Sequence, residues 1–90
     1  MSYLNCGTVK HTIMSWIEHE KHIERIFEFK TQTELAEVVM KLAKLSDELD
    51  HHADMEIYQC SKLRVVISSH DSGGLTERDR KWIESVSNIL

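Results

Sequence analysis

Two hydrophobic periods alternate along this chain. From Ile23 to Lys30 the period is two: Phe27 and Phe29 fall on one side, Glu28 and Lys30 on the other, as in a strand with one buried and one wetted face. From Thr33 to Leu49 the spacing changes to three and four. Leu35, Val38, Val39, Leu42, Leu45 and Leu49 form one apolar stripe, which predicts a helix. Thr31 or Thr33 is placed to cap its first turn, and Glu37 and Lys41 make an i, i+4 pair on the outer face. Period two returns at Leu63, Val65 and Ile67, which alternate with Arg64, Val66 and Ser68 and predict a strand from Leu63 to Ser69. Met55 to Gln59 reads as its neighbour, with a turn at Cys60-Ser61-Lys62. Trp16 to Glu20 reads as a strand turning at Glu20-Lys21-His22 into Ile23 to Lys30. Gly73-Gly74 ends the last strand. Thr76-Glu77-Arg78-Asp79 then opens a final helix like a capping box, with Asp in place of Glu, and its stripe is Leu75, Trp82, Ile83, Val86 and Ile89 or Leu90. In residues 1–15, Val9, Ile13 and Met14 make one short helical face.

The order (helix)–strand–strand–helix–strand–strand–helix predicts an α+β fold: a four-stranded antiparallel sheet with two or three helices packed on one face. The other face of such a sheet is free to meet water or a ligand. Ninety residues make one domain with a small core, for which oligomerisation is a common support.

Composition narrows the function classes. A net charge of -4 and the lack of any basic run argue against direct nucleic-acid binding. Two cysteines are too few for a disulfide framework or a Cys-rich zinc site and suit a reducing compartment. No apolar run approaches the ~18 residues of a membrane span, and the start of the chain lacks a signal pattern. The expected location is the cytoplasm.

The chemistry gathers in Asp50-His51-His52 and in Ser69-His70-Asp71-Ser72-Gly73-Gly74. Imidazole gives and takes protons near neutral pH. The paired histidines follow a helix C-terminus, whose dipole favours the protonated ring. His70 ends a strand, on the Arg64, Val66 and Ser68 side, beside a glycine pair that lets backbone approach a ligand. Three readings are open. The histidines are solvated or satisfied structural residues; or they hold zinc, for which adjacent histidines are awkward because neighbouring side chains diverge; or they act directly as acid and base on a polar substrate. Asp47, one helical turn before His51, is placed to orient an imidazole.

These residues carry a resemblance. Asp47-Glu48-Leu49-Asp50-His51-His52, then Tyr58, then Ser69-His70-Asp71-Ser72-Gly73-Gly74-Leu75-Thr76-Glu77-Arg78-Asp79 is similar to the pattern of the pterin-4a-carbinolamine dehydratase family. Trp16 and Phe27-Glu28-Phe29-Lys30 resemble further segments of it, so the likeness spans residues 16–90. The chain departs from the family in having Ala53 where proline usually follows the paired histidines.

The resemblance implies dehydration of 4a-hydroxytetrahydropterin to quinonoid dihydropterin, in tetrahydrobiopterin regeneration, with no metal or other cofactor. It implies His51 and His70 as acids toward the leaving hydroxyl and His52 as pterin ligand or base. Asp47 becomes the carboxylate that holds the site, Trp16 a packing surface for the pterin, and Arg78 a contact to substrate or an orienting group. Against these stand plainer roles: Trp16 as core, and Asp47 and Arg78 as solvated helix residues. The family also implies a homo-oligomer (dimer or tetramer) and, as an alternative function, a binding module that acts as dimerisation cofactor of a transcription factor.

Overall fold

In the computed structural model, which describes residues 16–69 and 74–90, the four strands and the two later helices form where their hydrophobic periods place them. β1 is Ile17–Glu18, β2 Ile23–Glu28, α1 Gln32–Leu49, β3 Asp54–Tyr58, β4 Lys62–Ile67 and α2 Glu77–Ile89. The strands form one antiparallel sheet in the order β1-β2-β4-β3. The α+β expectation holds, with two helices among the described residues. The short helix expected around Val9, Ile13 and Met14 lies outside them.

The ladder register decides which side chains meet the helices. Pairing Ile23 with Ile67, Arg25 with Val65 and Phe27 with Leu63 puts these six on one face. Ile23, Phe27, Leu63, Val65 and Ile67 are buried there with Leu35, Val38, Leu42 and Leu45 of α1 and Trp82 and Val86 of α2. Arg25 shares this face and lays its guanidinium 4.4 Å from the Phe27 ring centroid. The opposite face carries Glu24, Arg64, Val66, Asp54 and Glu56, set by the pairs Glu24 with Val66 and Glu56 with Arg64.

Several strand ends differ from the sequence reading by one or two residues, for local reasons. β1 is only Ile17–Glu18, because the His19 amide donates to the His22 carbonyl at 2.7 Å and closes the hairpin there. β4 stops at Ile67, since its ladder partner β2 begins at Ile23, so Ser68 and Ser69 leave the sheet. Phe29 lies past the last β2 pair but remains buried, and its amide donates to the Ser61 carbonyl at 2.9 Å.

Of the two threonines placed to cap α1, Thr31 does so: its Oγ1 accepts from the Glu34 amide at 3.1 Å. Thr31→Ala is expected to cost about 1 kcal/mol, read as a lower urea midpoint at unchanged slope. No loss of midpoint would mean that the helix start is held by tertiary packing alone.

Candidate active site

The site is built where α1 ends. Asp50 takes the left-handed conformation at φ 52°, which Asp tolerates better than most residues because its short polar side chain bonds locally. The Asp50 amide donates to Asp47 O at 3.3 Å and the His51 amide to Ser46 O at 3.0 Å. This pair of bonds is a Schellman motif, in which His51 supplies the longer link. The backbone at His51 is therefore fixed by the helix terminus itself.

His51 turns inward and is buried. Its Nε2 lies 2.7 Å from Oδ1 of Asp79, in the first turn of α2 and 28 residues further along the chain. The other carboxylate oxygen of Asp79 accepts from Ser69 Oγ at 2.7 Å and from the Thr76 amide at 2.8 Å. The Ser69 and Thr76 hydroxyls are 2.8 Å apart. Three ends thus converge on one buried carboxylate: the last turn of α1, the segment leaving β4, and the first turn of α2. Burial pushes the Asp79 carboxyl up, but hydrogen bonds from His51, Ser69 and Thr76 outweigh it and hold the group below the usual carboxylate range. A fixed negative charge therefore faces His51. With Nε2 held to it as donor, Nδ1 is the ring nitrogen left to accept a hydrogen bond.

His52 points elsewhere. Its Nε2 is 2.9 Å from Asp47 Oδ1, and both side chains are exposed. Such a surface pair is worth roughly 0–1 kcal/mol, so it orients the ring loosely and leaves it accessible. The imidazole served by Asp47 is that of His52; His51 has its own carboxylate. Arg78 donates from Nη2 to the Asp50 carbonyl and so joins the start of α2 to the turn that carries the paired histidines.

Trp16 belongs to another set of contacts. Its ring packs edge-on to Phe27 and to Trp82, each with centroids 6.1 Å apart. Trp82 in turn donates from Nε1 to Ser46 Oγ at 3.1 Å, beneath the turn that holds His51. His70 lies outside the described residues, as do Asp71, Ser72 and Gly73. Ala53 packs its methyl group against the core, partly buried. Paired carboxylates divide His51 from His52, and the group of three ligating side chains found close together among the described residues lies elsewhere, on the β1–β2 hairpin.

The residue that sequence reasoning missed as part of the site is Asp79. Its spacing from Thr76 fits the helix start, where a carboxylate stabilises the first turn, and that role is real. The second role, toward His51, needs the packing of α2 against α1.

The model for the family described as pterin 4 alpha carbinolamine dehydratase matches residues 6–89. This chain belongs to that family. Among curated relatives of the dehydratase family, a provisionally assigned pterin-4-alpha-carbinolamine dehydratase of Prochlorococcus marinus is 35% identical over 77 residues, covering 84% of this chain and 79% of its own. A provisionally assigned Sulfolobus acidocaldarius relative is 31% identical over 77 residues, covering 86% and 84%. Among solved structures, a Brucella melitensis transcriptional coactivator/pterin dehydratase superposes with a TM-score of 0.72 at 25% identity, covering 82% of this chain and 80% of that one. A pterin dehydratase-like protein identified as a RuBisCO assembly factor of the alpha-carboxysome has a TM-score of 0.69 at 20% identity, covering 87% and 92%, and shares the fold.

Proposed function

We propose that this family member catalyses dehydration of 4a-hydroxytetrahydropterin to quinonoid dihydropterin and water, in regeneration of a tetrahydropterin such as tetrahydrobiopterin. The observation that carries the reading is the buried His51–Asp79 pair, 2.7 Å between nitrogen and oxygen, next to an accessible His52–Asp47 pair. The reaction needs a proton on the oxygen leaving carbon 4a and a base for the proton on N5. His51, backed by an ionised carboxylate, is the acid toward the leaving hydroxyl, together with His70. His52 is the pterin ligand or the base. Arg78 acts through the Asp50 carbonyl as a positioning residue. Trp16, part of whose surface remains exposed, offers an apolar edge to the pterin. The imidazoles work without a metal in this scheme, and the site takes no other cofactor.

Stopped-flow mixing with synthetic 4a-hydroxytetrahydropterin tests the reading. The expected result is acceleration over buffer that survives EDTA. A folded sample that gives none would remove the enzymatic proposal, and loss in EDTA restored by zinc would replace direct imidazole chemistry with metal chemistry.

A second reading is favoured by the Brucella relative, whose description joins coactivator to dehydratase. In it the chain is a binding module, a dimerisation cofactor for a transcription factor, and the histidine site is dispensable. Partner binding that persists when turnover is abolished would favour it. No helix among the described residues is long and apolar enough to cross a membrane. A homo-oligomer working in the cytoplasm is the setting we propose for either role.

A further inference from the structure

His19, His22 and Glu24 play no part in the reaction proposed above. They are nonetheless the described residues that come closest to a metal-ligand set, with one ligand atom from each and all three within 4.8 Å of one another. The cluster follows from the hairpin. Ile17 pairs with Glu24 and Glu18 with Ile23, so His19 and His22 face each other across the turn, closed by the 2.7 Å amide-to-carbonyl bond. Glu24, two residues beyond His22, falls on the same side of the strand.

We propose that His19, His22 and Glu24 form a zinc-binding site on the helix-free face of the sheet. The two imidazole rings stack, with centroids 4.3 Å apart and planes 22° from parallel. Both present Nε2 to the same atom: Glu24 Oε1 lies 2.7 Å from His19 Nε2 and 3.6 Å from His22 Nε2. For bonds of about 2.0–2.1 Å, tetrahedral zinc sets neighbouring ligand atoms about 3.3 Å apart, so these distances straddle the required edge. Without metal, a neutral His19 ring satisfies this oxygen by donating from Nε2 at 2.7 Å; with zinc, the same oxygen and both Nε2 atoms face the ion. Two neutral imidazoles and one carboxylate are the ligand types zinc selects, and three protein ligands leave its fourth position open.

The surroundings support the carboxylate. Arg64 Nε donates to the other oxygen, Glu24 Oε2, at 3.0 Å, which fixes the plane of the carboxylate and leaves Oε1 to the imidazoles. The guanidinium charge opposes a cation, but Arg64 is shared with Glu56, 3.7 Å from its Nη1, so two carboxylates answer it. Lys21, at the turn, is a second positive group, and it lines a shallow groove with His22, Asp54, Arg64, Val66 and Ser68. All three ligands are at least partly exposed, so zinc has an entry path. The open zinc position borders that groove and suits water or an anionic oxygen.

Zinc chloride titration of the full chain, in competition with a chromophoric chelator, tests the site. One zinc per chain is expected, with affinity reduced at least tenfold in His22→Ala and in Glu24→Gln and unchanged in His52→Ala. Zinc should also raise the melting temperature of the parent chain but not of His22→Ala. The hairpin tip is exposed, and circular dichroism establishes that each variant is folded. No binding by the parent chain, binding unaltered in both hairpin variants, or binding lost in His52→Ala would each overturn the proposal. The readout is metal affinity, so it stands or falls separately from turnover of a pterin.

Discussion

Asp79→Ala is expected to destabilise the fold by roughly 3–5 kcal/mol, because it removes one member of a buried charged network and strands the rest. The variant leaves the His51 ring, the Ser69 hydroxyl and the Thr76 amide without the fully buried carboxylate they share as acceptor. Small domains are commonly stable by only about 5–15 kcal/mol, so urea unfolding should show a large part of the total gone. Asp79→Asn keeps the shape and one acceptor and should lose less. A loss below about 1 kcal/mol in the alanine variant would mean that the helices hold their ends without the network.

The same carboxylate sets an acid limit. Its pKa is lower in the folded protein than in a free chain. Its stabilisation is therefore complete above the ordinary Asp value, about 3.9, and is lost as pH falls through the lower folded value. Unfolding free energy measured below about pH 4 should fall more steeply for the parent chain than for Asp79→Asn, which has no proton to take up. Equal acid slopes would contradict the assignment.

The largest effect on activity should come from His51→Ala. Under the dehydratase reading, turnover is expected to drop by roughly 10²–10⁴-fold, the usual worth of a positioned acid or base. His52→Ala, which removes a ring held only by an exposed pair, should show its loss more in KM if that residue chiefly binds the pterin. Because Asp79 acts through His51, Asp79→Asn should slow the parent chain but add little to His51→Ala. Full rates in His51→Ala would remove the acid assignment, and additive losses would mean that Asp79 acts by a route of its own.

The sequence announces the elements and one half of the site. Period two at Leu63, Val65 and Ile67 and the three–four stripe of α1 identify the core face directly, since both periods are local. The paired histidines are equally visible, as they follow a helix end. Strand limits such as Glu18 and Ile67 depend on where a partner strand stops, which no local pattern encodes. Asp79 shows the same limit in the site. Its local role as helix start hides its long-range role, and only the packing of α2 brings it to His51. The hairpin cluster was missed for a different reason. His19, His22 and Glu24 read as turn and strand residues until the register brings the first two face to face.

The link between β3 and β4 bears on how the chain reaches this state. Gln59 and Cys60 hold φ of 50° and 57°, in the left-handed region, where a side chain usually costs about 1–2 kcal/mol. A tight hairpin normally closes in microseconds and seeds a sheet. Here that local step is uphill, so the hairpin is a poor nucleus. The central pairing of the sheet is that of β2 with β4, which meet only when the chain between them, α1 and β3 included, is closed into a loop. Folding rate should then follow the cost of closing that long loop, and β3 should join the sheet late.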